Sequence, residues 1–124
     1  MARGDDIEEK LIDFAVRVLR VCQALPSSPT GRHIHGQLVR SGTSPAPNYA
    51  EARGAESGRD FIHKLKIVLK ELNETRVWLK IIIRADLLPE QRLHDVLSEC
   101  DQLCRIISSS IHTARQNSPR TSDH

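Results

Sequence analysis

The sequence predicts an all-α fold, an antiparallel up-down four-helix bundle, from three observations. Aromatic residues make up 3% of the chain, so the core must be built from Leu, Ile, Val and Ala, which pack as helix ridges more readily than as a β-sandwich. Apolar residues recur at alternating spacings of four and three along three long stretches, the period of one helix face. The connections between these stretches are short, which sets consecutive helices side by side. At 124 residues the chain has length for one modest core, so a single domain over residues 1–116 is expected. The tail 117–124, "NSPRTSDH", has no apolar side chain to bury and is expected to be flexible.

The first helix is predicted from Asp5 to about Leu25, with Ile7, Leu11, Phe14, Val18, Val21 and Leu25 on its inner stripe. Asp5 and Glu8 have the three-residue spacing of a capping box, and the early acids suit the helix dipole. Pro26 and the following "PSSPTG" end it, with Ser28 or Thr30 as the next N-cap. The third helix is predicted from Arg59 or Asp60 to Ala85, with Phe61, Leu65, Val68, Leu72, Thr75, Leu79 and Ile82 inward. The fourth follows "DLLPEQ", with Pro89 in its first turn, and runs to Gln116 with Leu93, Val96, Cys100, Leu103, Ile107 and Ile111 inward.

The second element contains "RSGTSPAPNYAEA", Arg40 to Ala52, which by composition reads as a loop. Its spacing reads as a helix, because Ile34, Leu38, Ser41, Pro45, Asn48, Ala52 and Ala55 continue the four-three repeat. Small inward residues suit a close approach of two helices. A long helix from Thr30 to about Ser57 is therefore preferred to a ligand loop, since unstructured loops of this length are uncommon in compact domains. Pro45 and Pro47 each remove a backbone donor, so the helix is predicted to kink or break near Thr43 to Pro47. Ser41, Thr43, Ser44 and Asn48 are placed to bond the backbone groups freed there.

Charge and motif exclude more than they assign. Lysines and arginines number 18 against 16 acids, a formal charge of +2 and a pI near 8.6, so any polyanion contact must be local. The N-terminus opens acidic and no apolar run approaches a membrane span, so a cytoplasmic protein without membrane association is expected. Cys22, Cys100 and Cys104 lack the spacing of a disulfide framework or zinc site and read as core residues. His33 and His35, two apart, fall on different sides of a helix, unlike paired metal ligands. No nucleophile–base–acid arrangement is legible, so no enzyme, cofactor or metal is expected.

The third predicted helix carries two further features. Lys66, Lys70, Arg76, Lys80 and Arg84 fall within one arc beside the apolar stripe; this strip reads either as a solvated flank offset by Glu71 and Glu74 or as a phosphate-contacting surface. Ile62, Val77, Trp78, Ile81 and Ile83 lie outside the main stripe, leaving the helix apolar nearly all round. A monomeric bundle leaves one helix face wet, so this excess predicts burial against another subunit, with Trp78 as a candidate anchor.

The ordered run "RSGTS", "NYAEA", "GAES", "DFIHKLKIVLKE" and "ET" before "WL" resembles the four-helix bundle family found in intervening sequences of bacterial large-subunit ribosomal RNA genes. It covers about Phe14 to Ile111. The accessory protein of diversity-generating retroelements is similar to the same family. The resemblance implies an up-down bundle, a ring-like homo-oligomer that is a pentamer, and a non-catalytic role holding RNA or DNA. Within that implication, Lys66, Lys70, Arg76, Lys80 and Arg84, with Arg32, Arg40 and Arg53 on the second helix, are the candidate phosphate contacts, and Ile62, Val77, Trp78 and Ile81 the candidate subunit interface. The alternative is a protein-interaction bundle without nucleic acid, such as an accessory subunit of a reverse transcriptase. Pro45, Ala46 and Pro47 depart from the aliphatic residue, Gly or Pro, then small residue usual in the family after Ser44.

Overall fold

A computed structural model describes residues 4–117. The predicted helices appear as α1 (Gly4–Ala24), α2 (Pro29–Thr43), α3 (Pro45–Arg53), α4 (Gly58–Arg84) and α5 (Glu90–Asn117). No strand is present among the described residues. The expected flexible tail lies outside the described residues except for Asn117, which closes α5.

Local sequence sets the ends of these helices. Ser28 caps α2, its Oγ accepting from the Gly31 N–H at 3.1 Å, with Pro29 at the first position, where a missing donor costs nothing. Ser57 caps α4 in the same way through the Asp60 N–H. Asp5, predicted to open the capping box of α1, sits inside the first turn of that helix, and the Glu8 carboxylate pairs with Arg53 at 3.1 Å.

At the other end of α4, Leu87 N–H bonds the Ile82 carbonyl and Asp86 N–H the Ile83 carbonyl, a Schellman closure that puts Asp86 at φ 56°. An L side chain is strained in that left-handed region. Asp86→Gly is expected to raise stability by about 0.5–1 kcal/mol, measured as a higher midpoint in urea with an unchanged slope.

The second predicted helix is divided at Ser44. Ser44 keeps helical dihedral angles (φ −71°, ψ −36°) and bonds to Arg40, but Pro45 and Pro47 have no N–H to continue the ladder. Neighbouring side chains bond into the gap: Thr43 Oγ1 donates to the Val39 carbonyl at 2.6 Å, and Asn48 Nδ2 to the Ser44 carbonyl and hydroxyl at 3.0 and 2.9 Å. Ser41 instead accepts from the buried Thr75 hydroxyl of α4 at 3.0 Å.

Beyond the break the buried positions are Pro45, Ala46, Tyr49 and Ala52. Tyr49 rather than Asn48 therefore turns inward, and the four-three register read through the prolines is corrected there. With the ladder interrupted, the next turn follows the packing of its own side chains. The helix also stops at Arg53 rather than near Ser57, because Gly54 caps α3 and the following residues lead into the Ser57 cap.

The remaining stripes are buried as read, Leu65, Val68, Leu72, Thr75, Leu79 and Ile82 on α4 and Leu93, Val96, Cys100, Leu103, Ile107 and Ile111 on α5. Phe61 and Leu25 are partly buried against the same core. All three cysteines are buried and free. The α2–α3 path and α5 each pack against both α1 and α4, whereas α1 and α4 lie diagonally, with no pair of Cα atoms within 8 Å. Residue numbers rise along one helix as they fall along its neighbour: Glu8 meets Arg53, Ser41 meets Thr75 and Glu51 meets Lys64, while Asn73 meets Cys104 and Arg76 meets Asp101.

Small residues allow this approach. Gly42 lies so close to Val18 that a Cβ built on it would stand 2.4 Å from Val18 Cγ1.

Candidate nucleic-acid interface

Ion pairing divides the eight predicted phosphate contacts. Arg40 Nη1 pairs with Glu71 Oε1 at 2.9 Å and its Nη2 with Glu74. Arg53 pairs with Glu8, and Arg76 reaches Asp101 at 3.4 Å and Asn73 Oδ1 at 2.9 Å. Arg32 donates to the Ser27 carbonyl. Each of these arginines ties one helix to another or closes a loop, and Arg40, Arg53 and Arg76 already face carboxylates.

Lys66, Lys70, Lys80 and Arg84 are different. All are exposed on α4, and none has an ion-pair partner among the described residues. From Lys66 to Arg84 is five full turns, so these two point the same way about 27 Å apart. Lys80 lies on the α5 side of the arc, where a shallow groove of about 560 Å³ runs between α4 and α5, lined by Lys80, Arg76, Asn73, Asp101, Cys104, Arg105 and Ser108. Arg105, exposed on α5, extends the basic surface across that seam. Sequence reading missed it because its neighbours in space lie on another helix.

The predicted interface residues also separate. Ile62 and Ile83 are partly buried against the chain's own core. Trp78 is held within the chain, its Nε1–H donating to Glu74 at 3.0 Å and its ring edge-on to His33 at 6.0 Å. Val77 and Ile81 stand exposed at 53% and 38%. A second exposed apolar stripe, Ile12, Val16 and Leu19 on α1, was missed. Its four-three spacing was present in the sequence, one face round from the deeper stripe.

The rest of the surface offers little chemistry. A cavity of about 720 Å³ between α1, α3, α4 and α5 has Ile7, Tyr49, Phe61 and Ile106 in its walls and Arg53 and Arg105 in its lining. Among the described residues that lining includes Ser109, Ser110 and Thr113 but no His, Cys, Asp or Glu to activate a hydroxyl. Among the described residues no cluster of three or more His, Cys, Asp or Glu could hold a metal ion, and no helix is long and apolar enough to cross a membrane.

One buried charge is poorly matched. Glu99 Oε1 is buried without a hydrogen bond, and Arg17 Nε lies 3.5 Å away. Burial pushes the Glu99 carboxyl above its ordinary value, an effect that Arg17 opposes and Asp13 reinforces. A folded-state value above the unfolded one means the native state binds the proton more tightly, so this term favours folding at low pH and is lost as pH rises through the folded value. Glu99→Gln is expected to stabilise the protein at pH 7 by about 0.5 kcal/mol, with the difference from wild type shrinking as pH falls toward 4.5. Urea titrations at both pH values check it.

An all-α helical bundle with a basic outer strip is thus the class that the fold and surface define. The chain belongs to the 23S rRNA-intervening sequence protein family, whose model matches residues 5–109. A solved structure from Bacteroides thetaiotaomicron, described as a protein of unknown function from the S23 ribosomal protein family, is 33% identical, with a TM-score of 0.80 over 85% of this chain and 97% of that one. No curated protein matches the chain.

Proposed function

We propose that this protein is a non-catalytic homo-oligomeric scaffold that holds RNA by its phosphates along the α4–α5 groove. The observation that carries the reading is the pair of exposed cations without acidic partners that face each other across that groove, Lys80 on α4 and Arg105 on α5. Cations already neutralised by carboxylates release few counterions on meeting a phosphate, whereas unpaired ones supply both affinity and salt dependence. Such contacts position a backbone and read no bases, so binding is indifferent to sequence. The exposed apolar stripes support assembly into an oligomer, and the family's association with ribosomal RNA genes supports RNA as the polyanion. A ring-like pentamer in the cytoplasm is the form of assembly adopted in this reading.

A salt titration of binding to single-stranded RNA tests it. Affinity is expected to fall steeply with salt, and Lys80→Ala with Arg105→Ala is expected to flatten the slope of log K against log salt by about 1.4, the loss of two phosphate contacts. Salt-independent binding, or none at low salt, refutes the reading. Recovery of a protein partner without RNA would favour the protein-interaction alternative.

A further inference from the structure

We infer that copies of this chain join head to tail, the outer face of α1 in one copy seating on the outer face of α4 in the next. This pairing rests on the assembly proposed above and names the surfaces that make it. Among the described residues the large apolar side chains left exposed fall on two helices, Ile12, Val16 and Leu19 on α1 and Val77 and Ile81 on α4. Spacings of four and three keep each set on one side of its helix. Since α1 and α4 lie diagonally within a chain and both stripes are exposed, neither stripe covers the other.

Charge selects what covers them. Beside the α1 stripe stand the exposed acids Glu9 and Asp13, with Arg20 as the exposed cation next to Leu19. Beside the α4 stripe stand Lys70, which lies within about 20° of both Val77 and Ile81, and Lys66 and Arg84 toward the ends. Glu74, the acid on that side, is already bound by Arg40 and Trp78. A parallel two-fold contact of α4 with α4 would set lysine against lysine and one of α1 with α1 acid against acid, while an antiparallel α1 pair offers the acids Arg20 alone. Seating α1 on α4 opposes unlike charges around two apolar stripes.

Two different patches mating make a heterologous contact, which repeats from copy to copy and closes into a ring when the rotation allows. Lys80 and Arg105, turned toward the α4–α5 groove, stay off the docked face.

The test uses the full chain and molar mass by light scattering at micromolar concentration. Wild type is expected to be oligomeric. Val16→Asp and Val77→Asp, at positions 40% and 53% exposed, are each expected to be helical monomers, with self-association weakened at least tenfold. Mixed in equal amounts, the two variants are expected to form a one-to-one pair, because the intact α4 of the first fits the intact α1 of the second. Charge reversal gives a second arm that alters only exposed charged residues: Glu9→Lys with Asp13→Lys, or Lys70→Glu with Arg84→Glu, each weakens assembly, and all four together restore it.

A monomeric wild type overturns the proposed assembly and the pairing with it. An oligomeric wild type whose Val16→Asp variant still assembles, or a mixture that stays monomeric, overturns the pairing alone. If an Asp variant loses helicity, the charge-reversal arm decides, and failure of the fourfold variant to reassemble counts against the pairing.

Discussion

Replacing Gly31 by alanine is expected to destabilise the fold by about 3 kcal/mol, lowering the melting midpoint by roughly 12 °C. Gly31 is buried in the first turn of α2, where its N–H is held by the Ser28 cap. A Cβ there would stand 1.8 Å from the Pro26 carbonyl oxygen and 2.8 Å from its carbon. Those are backbone atoms of the α1–α2 connection, so no rotamer change relieves the overlap and the connection itself must move. Gly42→Ala meets a different obstacle, the Val18 side chain, which is β-branched and stiff at χ1. Its overlap is partly offset by the gain of about 1 kcal/mol that alanine brings to a helix interior. Gly36 has open space at the Cβ position and serves as the control: Gly36→Ala is expected to stabilise. Thermal melts of the three variants check the order, and a Gly31→Ala midpoint near wild type would show that the connection is free to shift.

These glycines mark the limit of what the sequence made legible. The heptad stripes of α4 and α5 could be read because their burial depends only on the period of one helix, and period is local. The break at Pro45 could be read because a missing N–H is a property of one residue. Which residue between Pro45 and Ala52 turns inward was not legible. Whether Asn48 or Tyr49 turns inward depends on how Ala46 and Tyr49 pack against the rest of the core, which no spacing within residues 45–53 encodes.

The basic residues show the same division. That Lys66, Lys70, Arg76, Lys80 and Arg84 share a side of one helix follows from their numbers. That Arg76 is engaged by Asp101, and Arg40 by Glu71 and Glu74, depends on which helices are neighbours and at what height. Charges 25 to 34 residues apart carry no local signal of their pairing. Arg105 and the α1 stripe join the candidate surfaces for the same reason, since exposure is decided by what the neighbouring helices leave uncovered.

Arg40→Ala is the variant that separates structural from nucleic-acid cations, and its expected effect is a stability loss of about 2 kcal/mol with RNA binding little changed. Glu71 is 9% exposed, and its Oε1 accepts from Arg40 at 2.9 Å. Removing the guanidinium leaves a nearly buried carboxylate without its cation, and a fully buried orphan of that kind costs 3–5 kcal/mol by rule of thumb. Arg40 is half exposed, so water recovers part of that cost and the smaller figure of about 2 kcal/mol applies. Glu74 also loses a partner, yet it keeps the Trp78 N–H at 3.0 Å. The double variant Arg40→Ala with Glu71→Gln is expected to recover much of the loss, because the orphaned charge is gone. Lys80→Ala with Arg105→Ala should behave in the opposite way, with an unchanged melting midpoint and weaker, less salt-sensitive RNA binding. Measured at a temperature where every variant is folded, an Arg40→Ala protein that loses RNA affinity as strongly as the Lys80 and Arg105 pair would return Arg40 to the phosphate surface and overturn the division drawn between paired and unpaired cations.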